Sequence, residues 1–583
     1  MTSIDDLFKK PSLPVGHKRK LEPSRDPSEI YKAAKVDANG DAKGARSATV
    51  EDGAMEDDVA GPELPPGLEE DIPDDKEGRF FGGGITRDTA GVLDFVDKLD
   101  AEAAAPEKYD KAWLRKLALN FEKRVSKNAE LRAKFENEPQ KFMASEADLD
   151  ADVKSLSILS EHPELYEEFA ALGCVSSLVS LLAHENTDIS IDAIQIIGEL
   201  TDEDVEAEQQ QWDALVAAML DADIIGLLAQ NLARLDETGD ADRAGVYHII
   251  TVLENLASKS SVAERLGQES DIMQWLRDRT QKKETRVTQN KQYSAEMLAI
   301  LLQSSSKNRK RLVELGGMDA LLQQLSAYRK LDPEKDSDEE EYVENLFDCL
   351  TCVVDVPEGK EKFIEEEGIE LMRIMLREGK MSKPRSLRVL NHALGGKAAA
   401  SVCERFIEAE LLGTVFGMFM KKQDSQSIEH LLGIFGWLLR LLPGESPGRI
   451  RTLAKFMEKD YQKIDRLIQL RHQYASKVTA AEQTIGQERR ALSAEDQEVM
   501  ESEWLSRRLD AGLFSLQMID VVLAWLVAED DGAKAKIKRL LSDRDEDLSV
   551  VKATLQEQLS GLEDASEDEQ DTKDMLGTLL QFL

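Results

Sequence analysis

From about residue 80 to the C-terminus, apolar residues recur at i, i+3, i+4 and i+7 and almost never alternate, which predicts amphipathic helices rather than a sheet. The prolines sit mostly in the first 79 residues or between apolar blocks, as at Pro163, Pro333, Pro357, Pro384 and Pro443, where a helix breaker belongs. The blocks repeat. Residues 169–182 (FAALGCVSSLVSLL) form a leucine-ridged stretch, 183–188 (AHENTD) a polar turn, and 189–200 (ISIDAIQIIGEL) a longer apolar helix. The same order returns at 224–235 and 244–257, at 312–325 and 342–354, at 363–376, and at 406–420 and 428–442. The spacing, roughly 40 to 55 residues, overlaps the armadillo and HEAT periods. One unit cannot cover its own apolar face, and stacking supplies the cover. The expected fold is all-α: an armadillo/HEAT-like, right-handed superhelical solenoid with a concave surface. Gly173, Gly316, Gly317 and Gly368 stand just before the ridges, where glycine suits a tight turn between the first two helices of an armadillo unit.

The pattern divides the chain into a tail (1–79), an N-terminal helical cap (80–160), the repeats (161–445) and a C-terminal helical capping domain (446–583), since the end faces of a solenoid need covering. In the last part, 450–475 and 488–516 read as long charged helices, 513–527 as a buried one, and 575–583 as a final helix after an acidic linker at 563–574. The tail lacks an apolar period and is expected to be disordered. Between Lys9 and Arg46 it carries ten Lys/Arg against five Asp/Glu; between Glu51 and Glu77 it carries twelve acids and one lysine. Lys18, Arg19 and Lys20, then Lys32 and Lys35 after a spacer, form a candidate bipartite nuclear localisation signal for an import receptor. The plainer alternative is a solvated charge run.

Charge narrows the partners. The 583 residues hold 113 Asp+Glu against 74 Lys+Arg, a net charge of −39. Such a surface repels phosphate backbones, so no direct nucleic-acid binding is expected, and it favours basic, Lys/Arg-rich peptide segments. Four cysteines exclude a disulfide scaffold and fit a reducing compartment. The N-terminus (MTSIDDLFKK) has no apolar core of a signal peptide. The most apolar stretches, 431–442 and 512–528, carry Arg440, Gln517 and Asp520 and read as buried helices rather than membrane spans.

Catalytic signatures fail on chemistry. Residues 444–448 (GESPG) match G-x-S-x-G, but Pro447 has no N–H for an oxyanion hole, and the motif follows a helix rather than a strand. Cys349 and Cys352 form C-x-x-C, yet a structural zinc needs four ligands, and the apolar context (LFDCLTCVV) favours small core residues. The triple glycine at 82–84 follows no predicted strand, and no Gly-Lys-Ser/Thr occurs. Histidines such as His248 and His392 read as structural. The expectation is a protein that is no enzyme and carries no metal or cofactor.

What remains is a peptide-binding groove. Carboxylates on the third helix of each armadillo unit attract Lys/Arg, and asparagines can clamp a peptide backbone. Aligning the helices on the armadillo Trp-then-Asn pattern puts Gln195 and Glu199 at those places on the first, Thr251 and Asn255 on the second, and Asp348 and Cys352 on the third. A solvated groove face is the alternative for each. The missing tryptophan ladder argues against the selectivity of an importin-α-type nuclear import adaptor, which stands as the second functional reading.

Several strings then carry a resemblance. Residues 119–135 (LNFEKRVSKNAELRAKF), 139–143 (PQKFM), 186–191 (NTDISI), 298–303 (LAILLQ) and 507–514 (RRLDAGLF) resemble the β-catenin-like protein 1 family, in the same order along the chain. The resemblance implies a nuclear, armadillo-like, spliceosome-associated protein. It implies a non-catalytic scaffold role in pre-mRNA splicing, within a Prp19-type complex, through basic localisation-signal-like segments of that complex's Myb-domain subunit. A homodimer is compatible with it.

Overall fold

The computed structural model describes residues 108–268, 271–562 and 567–583. The tail, the candidate localisation signal and the triple glycine lie outside them. The chain divides near Trp113 into two units, and the larger contains everything from Leu114 onward. Among the described residues there is no strand, and no single helix is long and apolar enough to cross a membrane.

Helices α1 (Lys111–Lys134) and α2 (Met143–Ser155) precede six helical triplets. The triplets are α3–α5 (Tyr166–Ala171, Cys174–Ser180, Thr187–Leu200), α6–α8 (Gln209–Asp221, Ile224–Arg234, Asp240–Ala257) and α9–α11 (Ser260–Gln268, Ile272–Gln281, Gln289–Ser304). Next come α12–α14 (Ser306–Glu314, Gly317–Ser326, Asp338–Val353), α15–α17 (Pro357–Glu365, Gly368–Glu378, Ser382–Ala393) and α18–α20 (Ala400–Glu408, Leu412–Phe419, Ser425–Leu441). First helices begin at 166, 209, 260, 306, 357 and 400, roughly 43 to 51 residues apart, which is an armadillo-type period. Each third helix packs on the next, from α2 through α5, α8, α11, α14, α17 and α20. Their apolar faces, such as Ile189, Ala193, Ile194 and Ile197 on α5, are buried in these contacts. The fold is an armadillo-like all-α stack.

Among the described residues, five turns between first and second helices use a left-handed residue, and glycine fills two of them. Gly173 (φ +79°) and Gly316 (φ +75°) stand there as expected, but the equivalent residues elsewhere are Asp223 (φ +59°), Glu367 (φ +58°) and Glu410 (φ +57°). Gly368 and Gly317 open the second helix instead, and their requirement is space. A Cβ on Gly368 would lie 2.2 Å from Cδ2 of Phe363, and one on Gly317 2.4 Å from Cγ of Leu312. The second helix crosses the first too closely for a side chain.

Cations tie successive units together. Helix C-termini leave carbonyls without partners inside the helix. Arg309, fourth residue of α12, donates to the carbonyls of Leu302 (2.8 Å) and Gln303 (3.3 Å) at the end of α11. Lys360, fourth residue of α15, is 2% exposed and donates to the carbonyls of Val354 (2.8 Å), His392 (2.9 Å) and Ala393 (3.2 Å). It thereby caps α14 and α17 at once.

Beyond Leu441 the chain forms α21 (Pro447–Ala491), α22 (Ala494–Asp510), α23 (Leu513–Glu529), α24 (Asp531–Ser542), α25 (Leu548–Ser560) and α26 (Glu567–Leu579). Three features here differ from expectation. α21 is longer than expected and is interrupted at Glu458–Tyr461, where Lys459, Asp460 and Tyr461 all have φ between +54° and +63°. The helix expected over 488–516 is broken twice: at Ser493, which caps α22, and at Gly512 (φ +97°). The expected acidic linker is largely the first turns of α26. The buried helix is α23, apolar on every side because α20, α21, α24, α25 and α26 all pack on it.

Candidate functional site

Three of the six third helices, α5, α14 and α20, start on side-chain caps that the sequence places just ahead of the apolar run. Asn186 accepts from the Asp188 amide (3.0 Å), Ser337 from Glu340 (3.2 Å) and Asp424 from Ser427 (2.8 Å). With the apolar faces buried in the stack, each helix leaves a polar stripe on the row that turns inward in an armadillo superhelix.

The stripe is acidic through four helices and then reverses. On α5 it carries Asp192, Gln195 and Glu199, at i, i+3 and i+7 of one face; on α8, His248, Thr251 and Glu254; on α11, Gln292 and Glu296; on α14, Glu341 and Glu344. All ten are half-buried except Gln292, which is buried. Gln195 donates to Glu199 (3.0 Å), and Gln292 donates to Glu296 (2.9 Å) and to Glu341 across the helix gap (3.5 Å). Tyr293 of α11 donates its hydroxyl to Glu254 and, at 3.4 Å, to Thr251. Among the described residues no lysine or arginine pairs with Glu199 or Glu296. On α17 the sign changes: Arg385 donates to Glu344 (2.7 Å), and Arg388 is ion-paired with Asp348.

The N-terminal end of the row holds a different device. Asp192 of α5 and Asp150 of α2 share Lys154, which lies 3.2 Å from the first and 2.9 Å from the second. Burial, and then the Asp150 carboxylate, push Asp192 up to about 6, while Asp150 is held below its ordinary value. Two carboxyls that close do not both ionise readily.

Of the five groove candidates, three stand on the stripe. Gln195, Glu199 and Thr251 are half-buried there. Asn255 is 6% exposed and donates inward, to the Gly198 carbonyl (3.1 Å) and to Oγ1 of Thr201 (3.2 Å), so it ties α8 to the end of α5 and offers no clamp. Asp348 is 3% exposed; burial raises its carboxyl and Arg388 opposes that. Its charge is spent within the fold. The Trp-then-Asn register puts Asn255 one residue past the stripe, and Asp348, one turn beyond Glu344 on the stripe's face, is taken out of it by Arg388. The register also misses Asp192, Glu254, Glu296, Glu341 and Glu344, although the Gln292–Glu296 and Asp192–Gln195–Glu199 spacings are readable as one-face patterns.

The candidate chemistry resolves into structure. Ser446 caps α21 by accepting from the Arg449 amide (3.1 Å), with Pro447 as the first helical residue, so the G-x-S-x-G string is a helix start. Cys349 and Cys352 are buried; burial raises both thiols, Cys352 to about 12. Among the described residues no group of three or more His, Cys, Asp or Glu is placed to hold a metal ion. Burial lowers the pKa of His248, so it stays neutral in its place beside Glu199.

Comparison with known proteins places this geometry. A family described as "Catenin-beta-like, Arm-motif containing nuclear" matches residues 90–556. The β-catenin-like protein 1 homolog of Schizosaccharomyces pombe is 36% identical over 471 residues, covering 81% of this chain and 82% of its own. Human β-catenin-like protein 1 is 36% identical over 490 residues, covering 81% of this chain and 86% of its own. Among solved structures, a designed armadillo repeat protein in complex with the peptide (KR)4 aligns at TM-score 0.35 and 12% identity over 45% of this chain and 99% of its own.

Proposed function

This chain belongs to the catenin-β-like, Arm-motif containing nuclear family, and from that premise we propose that it is a non-catalytic nuclear scaffold that holds Lys/Arg-rich segments of splicing proteins. The partners in this reading are subunits of a Prp19-type complex, first among them its Myb-domain subunit, and the process is pre-mRNA splicing. The observation that carries the binding half is the acidic stripe from α5 to α14, in which Glu199 and Glu296 face no cation among the described residues. Unneutralised carboxylates on a rigid, repeating frame attract cations from solution and cost nothing to reorganise. The net charge of −39 adds long-range attraction of the same sign. The family's description as nuclear supports the compartment.

The stripe reverses at α17, so the reading confines a cationic peptide to roughly four helices. At about 10 Å between neighbouring helices, an extended peptide of roughly ten residues spans that distance. Affinity purification of the tagged chain from nuclear extract, followed by mass spectrometry, tests the process. Recovery of Prp19-type complex subunits supports it. Recovery of import receptors and their cargo without splicing proteins overturns it.

A further inference from the structure

We infer that a basic cleft between the α19–α20 loop and the second half of α21 binds an acidic, Asp/Glu-rich peptide segment. The cleft has a volume of about 930 Å³ and is walled by Lys421 and Lys422 on the loop and by Arg466 and Lys477 on α21. In a chain of net charge −39, four cations at one site are a local inversion of sign. None of the four has a carboxylate partner among the described residues.

The two acids of the cleft are already engaged. Asp465 lies 3.1 Å from Lys536 of α24. Asp424 caps α20, accepting from the amide (2.8 Å) and hydroxyl (2.8 Å) of Ser427, which hold its carboxyl below the usual range against the opposing effect of burial. Arg466 spends one nitrogen on Gln469 (2.9 Å), while its Nε is buried without a partner. Lys421 and Lys422 are exposed, and Lys477 lies 5.6 Å from the Tyr474 ring centroid. The site therefore sets four positive charges, one of them a guanidinium, against two carboxylates, of which Asp465 is paired with Lys536 and Asp424 is held by Ser427.

The size and the ring chemistry choose the occupant. The volume exceeds what a single small anion fills and suits several residues of peptide. A single-stranded nucleic acid would need exposed rings for base stacking. The one aromatic ring of the lining, Tyr474, is buried, capped by Lys477 on one side and packed against Gly512. Carboxylates ask only for the charges.

The test uses the full chain and a fluorescent ten-residue Asp/Glu-rich peptide, read by anisotropy at about 50 mM salt. Wild type binds, and the Lys421→Glu/Lys422→Glu double variant weakens binding more than tenfold, as does Arg466→Gln. A Glu199→Lys/Glu296→Lys variant, changed only on the third-helix row, binds the acidic peptide at least as tightly, so failure here is separable from failure of the proposed function. Circular dichroism and thermal melting confirm that the variants are folded. Absence of binding, unchanged affinity in the folded cleft variants, or displacement by a ten-nucleotide uridine strand at lower concentration than by unlabelled peptide overturns the inference.

Discussion

Arg388 of α17 is ion-paired with Asp348 of α14, with the two side chains only 15% and 5% exposed. The pair ends the acidic stripe, because it turns a carboxylate that would have faced a ligand into an internal contact between consecutive repeats. Burial works to raise Asp348 and the guanidinium works to lower it. Removing the cation leaves a buried charge alone, which costs more than the pair itself is worth.

Arg388→Ala is therefore expected to lose about 3–5 kcal/mol of stability in urea unfolding at pH 7. The sign of its pH dependence follows from the raised carboxyl. A native state that keeps its proton better than the unfolded chain loses stability as pH rises. The deficit should be smaller at pH 5 than at pH 7. Equal deficits at both pH values would show that Asp348 is solvated.

Lys360 makes the opposite case. Burial brings its ammonium down to about 8, below the unfolded lysine value near 10.4. The folded state releases its proton first, so the unfolded state holds more protons between those values and stability rises with pH. From pH 7.5 to 9.5 the wild type should gain about 2 kcal/mol relative to Lys360→Met, which has nothing to titrate. The variant should also be less stable throughout, since three carbonyls lose their donor. A stability difference that stays flat across that range refutes the assignment.

The turn between α15 and α16 tests two kinds of glycine requirement at adjacent positions. Glu367→Gly relieves a left-handed backbone at φ +58° and should raise stability by up to about 1 kcal/mol. Gly368→Ala puts a methyl 2.2 Å from the Phe363 ring and should cost about 1–3 kcal/mol. Thermal melts of the two variants should move in opposite directions.

Ser446→Ala separates a helix cap from a nucleophile. It should cost about 1 kcal/mol in stability through loss of the bond to the Arg449 amide. A melting temperature equal to wild type would remove the cap.

The same helices show how far the chain could be read without its structure. The third helices α5, α8, α14 and α20 are legible because isoleucine, leucine, valine and phenylalanine recur on their buried faces. The unit α9–α11 and the helix α17 are not. α11 buries Asn290, Lys291, Gln292 and Ser294, and α10 buries Arg279 and Thr280. Hydropathy scores these as surface, but partners elsewhere in the fold hold three of them. Asn290 donates to Glu237 (3.0 Å) and the Arg243 carbonyl (2.9 Å), Lys291 to the Lys282 carbonyl (2.7 Å), and Arg279 lies 2.7 Å from Glu237. A period in apolar residues breaks down where polar side chains take core positions, as in the first turns of α11, whose later turns bury Met297, Leu298, Leu301 and Leu302. The stripe is hidden for a related reason. Asp348 and Glu344 are one turn apart and look alike in sequence, and only the arginines arriving from α17, some forty residues later, decide how far each is buried.

The acidic stripe from α5 to α14, with Glu199 and Glu296 unpaired to any cation among the described residues, is expected to hold cationic peptide, and everything proposed about partners depends on that. The most direct measurement is the Kd of a ten-residue Lys/Arg-rich peptide for wild type, for Glu199→Lys/Glu296→Lys and for Asp348→Asn, taken at about 50 and 300 mM salt. Wild-type binding should weaken steeply with salt, the double variant should bind more than tenfold more weakly, and Asp348→Asn should stay within about twofold of wild type. A folded double variant that binds as tightly as wild type, or wild-type affinity indifferent to salt, contradicts it.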